Sequence, residues 1–99
     1  MTKAEKLRAL LNGSETILAP CAFDALSARC IEIAGFPMVG TTGFGIHGAY
    51  LGTPDNGLLT FNEMLSACTQ MTETVEIPVM ADAEGGYGNA INTYRTVRE

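Results

Sequence analysis

Ninety-nine residues, 10.5 kDa in all, leave room for one small domain or for a piece of a larger one. With 46% apolar and 17% charged residues the chain is neither disordered nor supercharged, and eleven acidic against six basic side chains give a net charge of −5, the wrong sign for nucleic acid. No apolar run approaches the ~18 residues of a membrane span, and Met1-Thr2-Lys3-Ala4-Glu5-Lys6 lacks the apolar stretch of a secretory signal.

The first element is a helix over Thr2 to Asn12, with Ala4, Leu7, Leu10 and Leu11 on one face and Gly13 as its cap. Thr16-Ile17-Leu18-Ala19 has the length of a buried strand. Asp24 then suits the N-cap of a helix whose apolar stripe is Leu26, Cys30, Ile33 and Ala34, closed by Gly35. Met38-Val39-Gly40-Thr41 reads as a second strand, and Thr42 to Thr60 as a long glycine-rich connection. Phe61, Met64, Leu65, Cys68, Met71 and Val75 follow helical spacing and form the clearest amphipathic stripe. Pro78-Val79-Met80-Ala81 reads as a third strand, and another helix starts at Ala90.

Helix, then β-α-β-α-β-α, with continuously apolar strands, indicates a parallel α/β architecture. Three strands cannot close a (β/α)8 barrel, which takes about 250 residues, and the chain stops at Arg98-Glu99 within a helix. The expectation is the first third of a larger α/β domain, a leading helix plus three βα units.

Candidate chemistry follows the strands, where α/β proteins bind ligands. Gly43, Gly45 and Gly48 spell G-x-G-x-x-G, but no helix signal follows, so a dinucleotide fingerprint is rejected. The glycines at 40, 43, 45 and 48 argue for a loop, since each costs a helix about 1 kcal/mol. Such a loop either binds a carboxylate or phosphate through its N–H groups and the Thr42 hydroxyl, or is simply flexible. A continuous helix from Gly43 to Tyr50 would overturn both the loop and the carboxylate-cradle role of Thr42-Gly43-Phe44. Gly52-Thr53-Pro54-Asp55-Asn56-Gly57 taken alone is a turn. Asp82 and Glu84, two apart at a strand exit, would face the same way and repel unless a cation joins them, Mg²⁺ above all; the alternative is a solvated acidic turn. His47, the one histidine, reads as a surface loop residue. Cys21, Cys30 and Cys68 are odd in number, have no C-x-x-C spacing, and read as reduced thiols of a cytosolic protein; Cys21 has no basic partner nearby in sequence to make it a nucleophile.

Taken together, three segments resemble the isocitrate lyase / phosphoenolpyruvate mutase superfamily, in particular its short 2-methylisocitrate lyase and oxaloacetate decarboxylase type. Ala22-Phe23-Asp24-Ala25-Leu26-Ser27-Ala28 is similar to its A-[YF]-D-A-L-S-A opening, and Leu51-Gly52-Thr53-Pro54-Asp55 to its L-G-x-P-D element. Residues Pro78 to Asn89 are similar to its P-[VIL]-x-x-D-x-D-x-G-[YF]-G-N, with Glu84 in place of the commoner Asp and Gly85 in place of Thr or Asn. Thr42-Gly43-Phe44 matches its S-G-[GAL] step, with Thr for Ser.

The resemblance implies a (β/α)8 barrel, usually a homotetramer, that uses Mg²⁺ on a small 2-oxo or 2-hydroxy acid such as 2-methylisocitrate or oxaloacetate; residues 1–99 would be the N-terminal third of that barrel, one incomplete domain truncated in the third barrel helix. It implies Asp82 as the acid nearest the metal, Glu84 as the second and Asp55 acting through water, with Thr42, Gly43, Phe44 and Asp82 on the substrate. The family's K-x-C-G-H-like acid/base loop lies beyond Glu99, so this chain is expected to hold no catalytic acid or base and to be inactive alone. Two alternatives stay open: a phosphonomutase or phosphonate hydrolase with the same metal cradle, or a non-catalytic fragment. Neither nucleic acid nor membrane is an expected partner.

Overall fold

Local sequence signals start and stop most of the helices. In the computed structural model, which describes residues 1–99, Thr2 caps helix α1 (Lys3–Leu11): its hydroxyl accepts from the Glu5 N–H while the Glu5 carboxylate accepts from the Thr2 N–H. The helix ends at Asn12, one residue before the glycine expected to cap it, and Gly13 donates back to the Leu10 carbonyl. Asp24 caps α2 (Ala25–Ile33) by accepting from the Ser27 N–H at 2.7 Å. Gly35, at φ +90°, closes α2: its N–H reaches the Glu32 carbonyl, and that of Phe36 reaches Ile31, a Schellman ending. Thr60 and Glu63 form another reciprocal cap at the start of α4 (Phe61–Thr74).

Three short parallel strands, β1 (Cys21–Ala22), β2 (Val39–Thr41) and β3 (Val79–Met80), lie side by side in chain order. Cys21 pairs with Gly40 and Ala22 with Thr41; Val39 pairs with Val79 and Gly40 with Met80. Strand β1 is a correction: Thr16–Ala19, expected to be this strand, pairs with none of the three, and Leu18 is 66% exposed. The ladder to β2 opens at the Pro20 carbonyl, which accepts from the Gly40 N–H at 2.9 Å. Apolar content suggested a strand, but in the three-stranded sheet the ladder is defined by the hydrogen bonds that β2 offers.

The core lies between the sheet and helices α2 and α4. Ala22, Ala28, Val39, Ile46, Leu59, Met64, Ala67, Met71 and Val75 make one buried cluster. The α4 stripe was legible from its spacing. The α2 stripe was not: Leu26 and Ile33 are 72% and 76% exposed, whereas Ala28 is buried and Ile31 packs on the core. Alanine at the contact lets α2 lie close to α4, and the larger apolar residues fall on the outer side.

The largest departure is α3 (Gly43–Leu51), a nine-residue helix where a glycine loop was expected. Thr42 caps it by accepting from the Gly45 N–H at 3.0 Å, and Gly52 ends it in the left-handed region at φ +63°. Ile46 and His47, one turn in, are buried at 0% and 1% exposure. Burial and good caps outweigh the propensity cost of three glycines. The glycines also admit close neighbours: a Cβ on Gly45 would come within 2.7 Å of Thr42 Cγ2 and 3.0 Å of Phe23 Cβ. Helix α5 (Ala90–Arg98) is capped by Asn89. No helix is long and apolar enough to cross a membrane.

Candidate metal and substrate site

The C-terminal ends of β2 and β3 are tied together and launch the segments that carry the acids. Thr41 Oγ1 accepts from the Asp82 N–H at 3.1 Å, and the Thr42 N–H donates to the Ala22 carbonyl at 3.1 Å, so the three strand exits are held in one row. Helix α3 leaves from β2 with its first N–H groups, those of Gly43 and Phe44, at the N-terminus where helices lack internal acceptors.

Asp82 and Glu84 do not sit on a strand, which corrects the expectation that alternation makes them face one way. Strand β3 ends at Met80, and Glu84 adopts φ +50° in a turn. What relates the two acids is a local hydrogen bond: Asp82 Oδ1 accepts from the Glu84 N–H at 2.8 Å, an Asx-type turn. The side chain of Glu84 turns instead toward Gly43. A Cβ on Gly43 would lie 3.4 Å from Glu84 Oε1 and 3.7 Å and 3.8 Å from the two Asp55 oxygens. Two carboxylates 29 residues apart in the chain thus flank one glycine, at the first turn of α3. No Lys or Arg side chain pairs with Asp55, Asp82 or Glu84, and no three of the chain's His, Cys, Asp or Glu side chains converge on a single point.

His47 is the residue that the sequence reading misplaced. Instead of a surface loop residue it is 1% exposed on α3, one turn after Gly43. Its Nδ1 lies 2.7 Å from the Gly43 carbonyl oxygen and 3.4 Å from Asp55 Oδ1, and its Nε2 accepts from the Leu59 N–H at 3.4 Å. No local signal marked it: a lone histidine among glycines reads as a surface loop residue, and only the packing of α3 buries it.

Beside these groups a cleft of about 270 Å³ is lined by His47, Leu59, Glu84, Tyr87 and three glycines. Tyr87, at φ +60°, stacks obliquely on Phe61 with ring centroids 5.6 Å apart, and its buried hydroxyl has no hydrogen-bond partner. Burial, above all, pushes that phenol's pKa up, and the negative charges of Glu84, Asp82 and Asp55 add to it. Burial likewise pushes the Cys68 thiol up, so it is less of a nucleophile. All three cysteines are free, and Cys21 Sγ packs 3.0 Å from where a Cβ on Gly40 would lie.

The carboxylate cradle expected at Thr42-Gly43-Phe44 is overturned with the loop, since a continuous helix runs from Gly43 to Leu51 and these residues form its capped N-terminus.

Hard oxygen donors suit Mg²⁺, which commonly takes only one or two carboxylates and keeps its remaining waters. Asp55 and Glu84 flank Gly43, which carries no side chain, so the donor chemistry suits that ion, although no third such side chain joins them at one point.

Residues 7–99 match the phosphoenolpyruvate phosphomutase family. The chain is 46% identical over 99 residues to 2,3-dimethylmalate lyase of Eubacterium barkeri, covering 100% of this chain and 34% of that protein. It is 40% identical over 98 residues to an oxaloacetate decarboxylase of Bradyrhizobium diazoefficiens, covering 99% and 34%. A phosphonopyruvate hydrolase solved as a complex with oxalate and Mg²⁺ superposes with a TM-score of 0.92 at 35% identity, over 98% of this chain and 34% of that one. The chain thus spans about a third of the length of the relatives it matches, and its sheet and helices correspond to a third of their barrels. With three parallel βα units in register and the acids at their exits, the chain belongs to the phosphoenolpyruvate phosphomutase family, within the phosphoenolpyruvate mutase/isocitrate lyase superfamily.

Proposed function

We propose that this chain supplies the metal-binding face of a Mg²⁺-dependent lyase or decarboxylase that cleaves a carbon–carbon bond in a small 2-oxo or 2-hydroxy acid, 2-methylisocitrate or oxaloacetate being examples. The observation that carries this reading is the meeting of Asp55 and Glu84 at Gly43, beside Asp82, with no fixed cation among them. Asp82 and Glu84 would hold the ion and Asp55 would reach it through water. When bound, Mg²⁺ supplies a Lewis acid that lowers the cost of negative charge developing on the oxo acid's oxygens.

The remaining work belongs to the chain's own groups. Tyr87 and Leu59 wall one side of the cleft. None of the side chains in this site is assigned as the general acid or base. The whole protein is proposed to be a cytoplasmic homotetramer whose partner is the small acid, not nucleic acid or membrane.

The family match and the likeness to a phosphonopyruvate hydrolase support a second reading, phosphonate chemistry on the same face. Assaying the full-length protein for pyruvate or glyoxylate release from hydroxy and oxo acids, and for phosphate release from phosphonopyruvate, separates the two. Activity that survives EDTA undiminished on every substrate would remove the metal from both.

A further inference from the structure

The buried ring of His47 bridges three separate parts of the site. Leu59 donates its N–H to Nε2, so in the neutral ring the hydrogen sits on Nδ1. From there it is directed at the Gly43 carbonyl, 2.7 Å away, with Asp55 Oδ1 at 3.4 Å on the same side. The ring is 1% exposed, whereas Asp55 is 46% exposed and sits in a turn outside any helix or strand. An exposed carboxylate on such a turn would otherwise sample many rotamers. Here a buried ring stands 3.4 Å from one of its oxygens, and the ring's other nitrogen accepts from the Leu59 N–H just before α4.

We propose that His47 is a positioning residue that holds the Asp55 carboxylate over Gly43 and toward Glu84, preorganising the acid pair for a divalent cation. This deepens the metal reading above and rests on it. Residues that orient a metal's carboxylates from behind commonly contribute a factor of about 10 to 100 in metal affinity. The two ring nitrogens have separable duties, and two exchanges separate them. His47→Asn keeps a donor near the Nδ1 position and loses the acceptor for Leu59. His47→Gln keeps an acceptor near the Nε2 position and loses the donor to Gly43 and Asp55.

The test is calorimetric Mg²⁺ binding to the full chain, with unfolding midpoints measured alongside. His47→Gln should weaken Mg²⁺ about 10-fold, while His47→Asn stays within about threefold of wild type although both lower the unfolding midpoint. In an Asp55→Ala background, His47→Gln should add no further loss of metal. Equal Mg²⁺ affinities for wild type and His47→Gln, or equal losses for the two exchanges, would overturn the positioning role while leaving the metal reading intact. A wild type that takes up no Mg²⁺ would overturn both. Because a buried ring is being replaced, a variant at the exposed end gives an independent check. Asp55→Ala should shift the His47 Nδ1–H resonance in the ¹⁵N-labelled protein, and an unmoved resonance would overturn the inference without any change at position 47.

Discussion

Asp82, Glu84 and Asp55 differ in what already engages them. One oxygen of Asp82 is committed to the Glu84 N–H, which fixes its carboxylate and leaves the second oxygen for a ligand. Glu84 reaches Gly43 on a flexible side chain, and Asp55 is held from behind by His47. A fixed carboxylate loses the least entropy on binding, so Asp82→Asn is expected to be the most damaging of the three, by about 100-fold or more in activity. Glu84→Gln should cost less, and Asp55→Asn about 10-fold or less, as befits a contact through water. Mg²⁺ titrations of activity for the three variants of the full chain check this order; wild-type metal dependence in Asp82→Asn would show the assignment to be wrong.

At the scale of elements, α3 makes a contrast between two of its glycines. Thr42 and Phe23 occupy the space a Cβ on Gly45 would need, whereas nothing lies within 4 Å of where a Cβ on Gly48 would stand. Gly48→Ala is therefore expected to stabilise by up to about 1 kcal/mol through helix propensity. Gly45→Ala should destabilise by about 1–3 kcal/mol through overpacking. Urea unfolding of both variants measures the difference, and equal effects would mean that space around the helix does not decide its glycines.

The turn from α4 into β3 has its own fastener, Glu32 on α2. Its carboxylate accepts from the Glu76 N–H at 2.6 Å and the Ile77 N–H at 3.3 Å, and pairs with Arg29 at 2.7 Å. The Glu76 N–H, above all, holds the carboxyl below its ordinary value of 4.5, outweighing partial desolvation, with Ile77 and Arg29 adding to the effect. A carboxyl whose pKa is depressed by folding contributes stability above its unfolded value and loses it as the pH falls through the folded one. Wild type should therefore lose unfolding midpoint more steeply than Glu32→Gln below about pH 4.5, with the two curves running parallel near neutrality.

Across the whole molecule, the apolar surface is incompletely covered. Leu26, Ile33, Ile91, Tyr94 and Val97 are each more than 70% exposed, and only 14 of 99 residues are buried. The acids lie at one end of a three-stranded sheet, and the chain spans about a third of its relatives' length. These 99 residues expressed by themselves are expected to release no pyruvate from any oxo or hydroxy acid, since no acid or base for the carbanion stands in the site. Release above a heat-treated control would overturn that expectation.

What the sequence by itself determined are features whose energies act over three or four residues or along one repeating face. The Asp24 cap, the Gly35 ending of α2 and the stripe of α4 are of this kind. The alternation of strands and helices, and the motifs at the strand exits, were legible for the same reason, and with them the family. Tertiary structure alone decided the rest. Glycine content argued for a loop at 43–51, yet burial of Ile46 and His47 made it a helix. Spacing of two placed Asp82 and Glu84 on one strand face, yet β3 ends before them and a turn sets their relation. The meeting of Asp55 with Glu84 at Gly43, and the ring of His47 behind it, depends on chain segments far apart in sequence. Local propensities of about 1 kcal/mol per residue give way wherever packing against such distant segments is worth more.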